Sequence, residues 1–139
     1  MNIHSPSQNV AAFPGFAIAI TAAVVDGVAI GVAGYTRAMV TFHSNPSGVG
    51  TTSNCIVQES PDGSTAWANV PGAAFAQVAT TGSDSIQVAD INLELRLPFL
   101  RLVHTGAGAS AAGVATGTIL LFNARGFPVS QVEPVGFAV

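Results

Sequence analysis

Apolar and polar positions alternate along most of this chain with the period of two that belongs to β-strands. The alternation is cleanest in residues 86–104. Ile91, Leu93, Leu95 and Leu97 fall on one face there, and Asp90, Asn92, Glu94 and Arg96 on the other. Pro98 cannot donate to a strand ladder, so it predicts an edge or a bulge before Phe99, Leu100, Leu102 and Val103. Residues 35–43 divide in the same way, with Tyr35, Arg37, Met39 and Thr41 opposite Ala38, Val40 and Phe42. In residues 16–34 the bulky side chains Phe16, Ile18, Ile20, Val24, Val28, Ile30 and Val32 hold the even positions, and small ones mostly hold the odd. The stretch has the length of a membrane helix, and Gly27 and Gly31 stand at GxxxG spacing. Its period of two and its central Asp26-Gly27 instead predict a hairpin. A three-residue loop, Val25-Asp26-Gly27, would pair Val24 with Val28, Ala22 with Ile30 and Ile20 with Val32, keeping the bulky residues on one face.

The stretch around which the other segments are arranged is residues 54–70. Cys55, Ile56 and Val57 lead into Ser60-Pro61-Asp62-Gly63, and the chain resumes with Thr65, Trp67 and Val70. Pro61 presets φ at the first turn position, Asp62 can bond its own backbone, and Gly63 tolerates the exit geometry, so a hairpin is predicted. Trp67 reads as core filler between sheets. Further strands are expected at 75–80 and 118–123, with loops at 44–53 and 105–117 and a turn at Gly126-Phe127-Pro128. The pattern predicts an all-β domain, a β-sandwich and most simply an eight-stranded jelly roll. Residues 1–15 read as an extended N-terminal arm, 16–128 as the sandwich, and 129–139 as a C-terminal strand or arm.

Charge changes the picture. Charged residues make up 8% of the 139 residues, against about 25% in an ordinary soluble domain. With 49% of the chain hydrophobic, much of the surface is expected to be buried against partners rather than left in water. The basic residues are four arginines, Arg37, Arg96, Arg101 and Arg125, with no lysine. That excludes lysine Schiff-base chemistry and a Walker-type phosphate loop. A net charge of −3 without a basic cluster gives nucleic-acid binding no electrostatic footing. Cys55 is the one cysteine, so an intrachain disulfide and a cysteine-based zinc site are ruled out; beside Ile56 it reads as a buried apolar filler. The polar opening MNIHSPSQN has no basic n-region before an apolar core, and assembly in a cytoplasm is expected.

Candidate chemistry is thin. His4, His43 and His104 are widely separated and read as surface or hydrogen-bonded histidines rather than metal ligands. Asp90 and Glu94 read as a solvated charged face, and Ser110 lacks the second glycine and the strand-to-helix setting of a nucleophile elbow. Ser60–Trp67 is similar to the sialidase Asp-box, S-x-D-x-G-x-T-W, with Ser64 and Ala66 replacing its glycine and threonine. That motif is itself a hairpin turn, and it occurs once here, which tells against a propeller. Arg96 and Arg101 flank Pro98 as candidate anchors for carboxylates of a partner, since guanidinium forks suit desolvated interfaces. Phe13, Phe137 and Val139 on the terminal segments are the other candidate partner contacts. No catalytic residues and no cofactor are expected.

Val57-Gln58-x-Ser60-Pro61-Asp62-Gly63-Ser64-Thr65-Ala66-Trp67, followed by Leu97-Pro98-Phe99-Leu100-Arg101-Leu102, resembles the small head decoration, or cement, proteins of tailed bacteriophages. The resemblance runs over roughly residues 54–125 in pattern and order. It implies a sandwich that binds the outer capsid surface as a homo-oligomer, its partners being the major capsid protein and its own copies, and a place on the virion after assembly in a host cytoplasm. From the sparse charge and apolar content a two-fold dimer is favoured as the default closed form, and neither nucleic acid nor membrane is expected as partner. The residues alone also allow a carbohydrate- or surface-binding sandwich of a fibre or adhesin, against which stands the shortage of aromatic rings, with one Trp and one Tyr.

Overall fold

The computed structural model describes residues 10–79 and 84–123. The elements are all strands: β1 (Val10–Ala19), β2 (Val24–Asp26), β3 (Ile30–Gly31), β4 (Arg37–Ser47), β5 (Thr52–Ser60), β6 (Ala68–Ala74), β7 (Val78–Ala79), β8 (Ser85–Asn92), β9 (Phe99–Ala107) and β10 (Ala112–Phe122). They form two antiparallel sheets packed as a β-sandwich. One has the order β1-β10-β4-β8; the other runs β2-β9-β5-β6, with β3 also on β9 and β7 also on β5. Taken as interrupted single strands, β2/β3 and β6/β7 leave four strands in each sheet, an order compatible with the jelly-roll expectation.

Alternation decides which side chains enter the core. In β4, Ala38, Val40, Phe42 and Ser44 point inward, while Arg37, Met39, Thr41 and His43 point out. β5 turns Ser53, Cys55 and Val57 inward, and β9 turns Leu100, Leu102 and His104. These meet Phe16, Ile119 and Leu121 from the four-stranded sheet. Leu102 reaches across to two glycines there, since a Cβ on Gly15 or on Gly117 would stand 2.6 Å from its Cδ1. Both positions are thus kept clear by close sheet-to-sheet approach. Burial pushes the Cys55 thiol up to about 12, as a sulfur enclosed by apolar neighbours requires.

Several local expectations are corrected. Residues 16–34 are not a hairpin: β1 pairs with β10, while Val24–Asp26 and Ile30–Gly31 both pair with β9 in the opposite sheet. The chain crosses between sheets after Ala19, so each half finds a distant partner, and Ile20, Ile30 and Val32 still reach the core. The N-terminal arm does not extend through residue 15, because Val10–Pro14 pair with Phe122–Thr118. Pro14 is tolerated because β1 is an edge strand with a register shift between Pro14 and Phe16. The run at 86–104 is broken. β8 ends at Asn92, whose Oδ1 accepts from the Glu94 N–H at 3.0 Å, and the turned-out Leu95 is 86% exposed. Ser44–Ser47 and Thr52–Ser53 belong to strands, as do Thr105–Ala107 and Ala112–Gly117, so both expected loops are shorter than their composition suggests. Of the strand expected at 75–80, only Val78–Ala79 pairs among the described residues. Residues 129–139 lie outside the described residues.

Candidate interaction surfaces

The 54–70 hairpin forms, with Gln58 opposite Asn69 and Glu59 opposite Ala68, but its connection is a seven-residue loop (61–67) rather than a tight turn. Ser60, fully buried, organises it. Its Oγ donates to the Thr65 carbonyl at 2.6 Å and accepts from the N–H groups of Asp62 and Gly63 at 3.2 and 3.0 Å. Asp62 Oδ1 accepts from the N–H groups of Ser64 and Thr65 at 2.9 and 2.7 Å, and the Thr65 hydroxyl donates to Oδ2 at 2.5 Å. The Thr65 hydroxyl, then these amides, hold the Asp62 carboxyl well below the usual carboxylate range. Gly63 has φ of 74° and packs on the Phe99 ring, where a Cβ would come within 2.8 Å. A side chain there would be both strained and obstructed.

The loop delivers Trp67 to the outer face of the six-stranded sheet rather than to the core. It is half-buried beneath Arg101, whose Cζ lies 4.4 Å from the ring centroid. Arg101 donates from Nε and Nη2 to Gln58 Oε1 at 2.9 and 2.8 Å, and its Nη1 lies 2.9 Å from Asp26 Oδ2. Gln58 in turn donates to Asn69 Oδ1 at 3.0 Å. Four strands are stitched together in this way from β2 to β6. Arg96, in the turn after β8, pairs with Glu59 at 3.3 Å, and the second Glu59 oxygen accepts from the Leu97 N–H at 3.0 Å. Both arginines expected to seize a partner's carboxylate therefore hold groups of this chain.

The outer face of the four-stranded sheet is different. Reading across β1, β10, β4 and β8, its rows are Val10–Phe122–Arg37–Asn92, Ala12–Leu120–Met39–Asp90, Pro14–Thr118–Thr41–Val88 and Ala17–Thr116–His43–Ile86, followed by Ala19–Val114–Asn45. Ile86, Val88 and Val114 are 71%, 58% and 56% exposed. Arg37 is ion-paired with Asp90 and His43 with Asp84, and the hydroxyls of Thr41 and Thr118 bond to each other. The face is thus mixed, with Ile86, Val88 and Val114 as its exposed large apolar side chains among the described residues.

Between the sheets, Ser44 Oγ donates to Ser53 Oγ at 2.7 Å, and Ser53 Oγ lies 2.8 Å from His104 Nε2. All three are buried, and His104 Nδ1 has no hydrogen-bond partner. The imidazole sits against the Phe16 and Phe42 rings, with centroids 5.6 and 6.3 Å away, and burial lowers its pKa. Ser53 is sealed from solvent, so this serine–histidine contact has no route to a substrate. Among the described residues, no group of three or more His, Cys, Asp or Glu could hold a metal ion. Nor is any helix among them long and apolar enough to cross a membrane.

Of the sequence-predicted contact residues, Arg96 and Arg101 belong to the six-stranded sheet and its adjoining turn. Phe13 lies in β1 opposite Ile119 and packs against the core, not on an arm. Phe137 and Val139 lie outside the described residues. What sequence reasoning missed is the outer face of β1, β10, β4 and β8. Its signal was present: β8 and β10 are apolar at both parities, as in Ile86, Val88, Ala89 and Ile91, or Ile119, Leu120 and Leu121. A strand apolar on both sides expects cover on both.

No family model and no curated protein sequence matches the chain. Solved structures show likenesses. The SPBc2 prophage-derived protein YomS gives a TM-score of 0.49 at 10% identity, over 88% of this chain and 100% of its own. A protein of Bacillus endospore appendages, which form disulfide-linked pili, gives 0.46 at 14% identity over 88% and 98%. A carbohydrate-binding module specific for non-crystalline cellulose gives 0.37 at 10% identity over 86% and 75%. The functional reading accordingly rests on this chain's own surfaces.

Proposed function

We propose that the chain is a structural sandwich that works by covering surface: a phage head-decoration protein that binds the outer capsid as a homo-oligomer and cements neighbouring capsid subunits, without catalysing a reaction. The observation that carries the reading, through its homo-oligomer, is the exposed Ile86, Val88 and Val114 on the outer face of the four-stranded sheet, on a chain with only 8% charged residues. Burying such a face is worth about 25 cal/mol per Å² before the costs of association. The resemblance over residues 54–125 supplies the phage setting, with the virion as location and the host cytoplasm as the place of assembly. The test is to add purified protein to empty capsids and follow their melting. Stable addition with a raised capsid Tm is expected; no addition at micromolar protein sinks the cement role.

A second reading, a carbohydrate- or surface-binding module, draws on the group formed by Trp67, Gln58, Asn69 and Arg101 on the other sheet. An indole ring beside amide groups is the chemistry a sugar platform uses. Here, though, the guanidinium already lies over the ring and Gln58 is engaged on both sides. Titration of oligosaccharides against Trp67 fluorescence separates the two, because only the sugar-binding reading predicts a saturable change.

A further inference from the structure

Resting on the assembly reading above, we infer that the outer face of the four-stranded sheet is a self-complementary surface that takes a second copy of this chain, sheet against sheet about a two-fold axis. The argument begins with area. Four strands span about 19 Å, and nine residues along them about 30 Å, so the face offers roughly 600 Å² per copy and about 1,200 Å² for a pair. That reaches the lower bound of stable interfaces and exceeds what an ordinary crystal contact buries.

Charge leaves room for the same occupant. The chain carries a net −3, and two copies meeting through an acidic surface would repel. The carboxylates of Asp26, Glu59 and Asp62 lie away from this face, on the other sheet or its loop. Asp90 within it is ion-paired with Arg37, while Asp84, hydrogen-bonded to His43, and Glu94, beside Arg37 and Asn92, stand at its two ends. Among the described residues, the middle of the face thus carries one compensated pair, Arg37 and Asp90, with further carboxylates only at its two ends. Thr41 and Thr118 bond to each other, so one of their two hydroxyl protons is already placed before the face is covered.

Shape agrees. The middle rows carry Pro14, Thr118, Thr41 and Val88, then Ala17, Thr116, His43 and Ile86, mostly short or branched side chains that let sheets approach to the usual spacing of about 10 Å. A two-fold pairing also closes on itself. It removes the exposed patch without leaving a second one to propagate into a fibre.

The test uses the full chain in sedimentation equilibrium across a concentration series, comparing wild type with Val88→Glu, Thr116→Glu and Val24→Glu. Both Val88 and Thr116 side chains already face solvent, so thermal melts of their variants should show an intact fold. The wild type should dimerise. Each of the two face variants should weaken the dimer about a hundredfold, because a two-fold contact carries each substitution twice. Val24→Glu, on the opposite sheet and already exposed, should leave dimerisation as it is. A wild type that stays monomeric overturns the inference, as does a dimer broken by Val24→Glu and spared by the face variants. A chain that dimerises only after removal of residues 124–139 also overturns it, since its own terminal segment would then be the occupant. The capsid assay is read separately. A wild-type dimer that is lost in Val88→Glu but does not itself add to capsids keeps this inference and ends the cement reading. Capsid stabilisation by a strict monomer does the reverse.

Discussion

Acidification should loosen this fold through His104. The imidazole is 1% exposed, its Nε2 meets Ser53, its Nδ1 has no partner, and Phe16 and Phe42 flank it. Burial disfavours the charged ring, so its folded pKa lies below the ordinary value. A histidine depressed in this way contributes stability that is present above its unfolded pKa. That contribution is lost as pH falls, because the unfolded chain takes up a proton the folded chain refuses. The unfolded pKa is about 6.5, and each proton of difference is worth about 1.4 kcal/mol per pH unit below it. A ring kept neutral throughout would set the ceiling: going from pH 7 to pH 5 can cost up to about 2 kcal/mol, or a fall in Tm of up to about 6 °C for a domain of this size. The assay is urea unfolding at half-unit pH steps on the wild type and on His104→Gln, which keeps an amide for Ser53 but cannot titrate. His43, ion-paired with Asp84 on the surface, is common to both proteins and cancels in the difference. The wild type should lose more stability than the variant over this range, by up to about 2 kcal/mol. Superimposable profiles, or a wild type that gains on acidification, would refute the burial argument.

The Cys55 thiol, raised to about 12, should resist aromatic disulfide reagents at pH 8 in the native state and react fully in denaturant; rapid native labelling would place the sulfur at the surface. Ser60→Ala removes the donor to Thr65 and the acceptor for two amides, and should cost about 2 kcal/mol, read as a lower urea midpoint at constant slope. Arg101→Ala strips the guanidinium from Trp67 and frees Asp26 and Gln58; Trp67 emission should shift to the red and stability fall by about 1–2 kcal/mol. An unchanged spectrum would mean that the stacking is absent in solution. Gly117→Val should destabilise by about 1–3 kcal/mol, since Leu102 Cδ1 and Phe16 Cε1 already stand 2.6 and 2.8 Å from where its Cβ would be; a neutral effect on thermal melting would show that the sheets have room there.

Which residues face inward could largely be read from the alternation itself. Ala38, Val40 and Phe42 are buried as their spacing requires, and the 54–70 hairpin forms where Ser60-Pro61-Asp62-Gly63 predicts a reversal. These features depend on neighbours in sequence: the pleat fixes the period, and a short polar side chain can bond only nearby backbone. The choice of strand partner does not depend on neighbours. Residues 16–34 carry a good hairpin pattern, yet β1 pairs with β10 and β2 with β9, because crossing between sheets lets both halves contribute to one core. Trp67 and Arg101 are 34 positions apart and meet only because β5 lies between β6 and β9. The same holds for Ser44, Ser53 and His104, which no spacing rule could have joined. The apolar face was half visible, since β8 and β10 are apolar at both parities. That these strands share one sheet, with their outward residues in continuous rows, was decided by the tertiary structure, because lateral strand order is set by the burial of the whole core and not by the alternation within any strand.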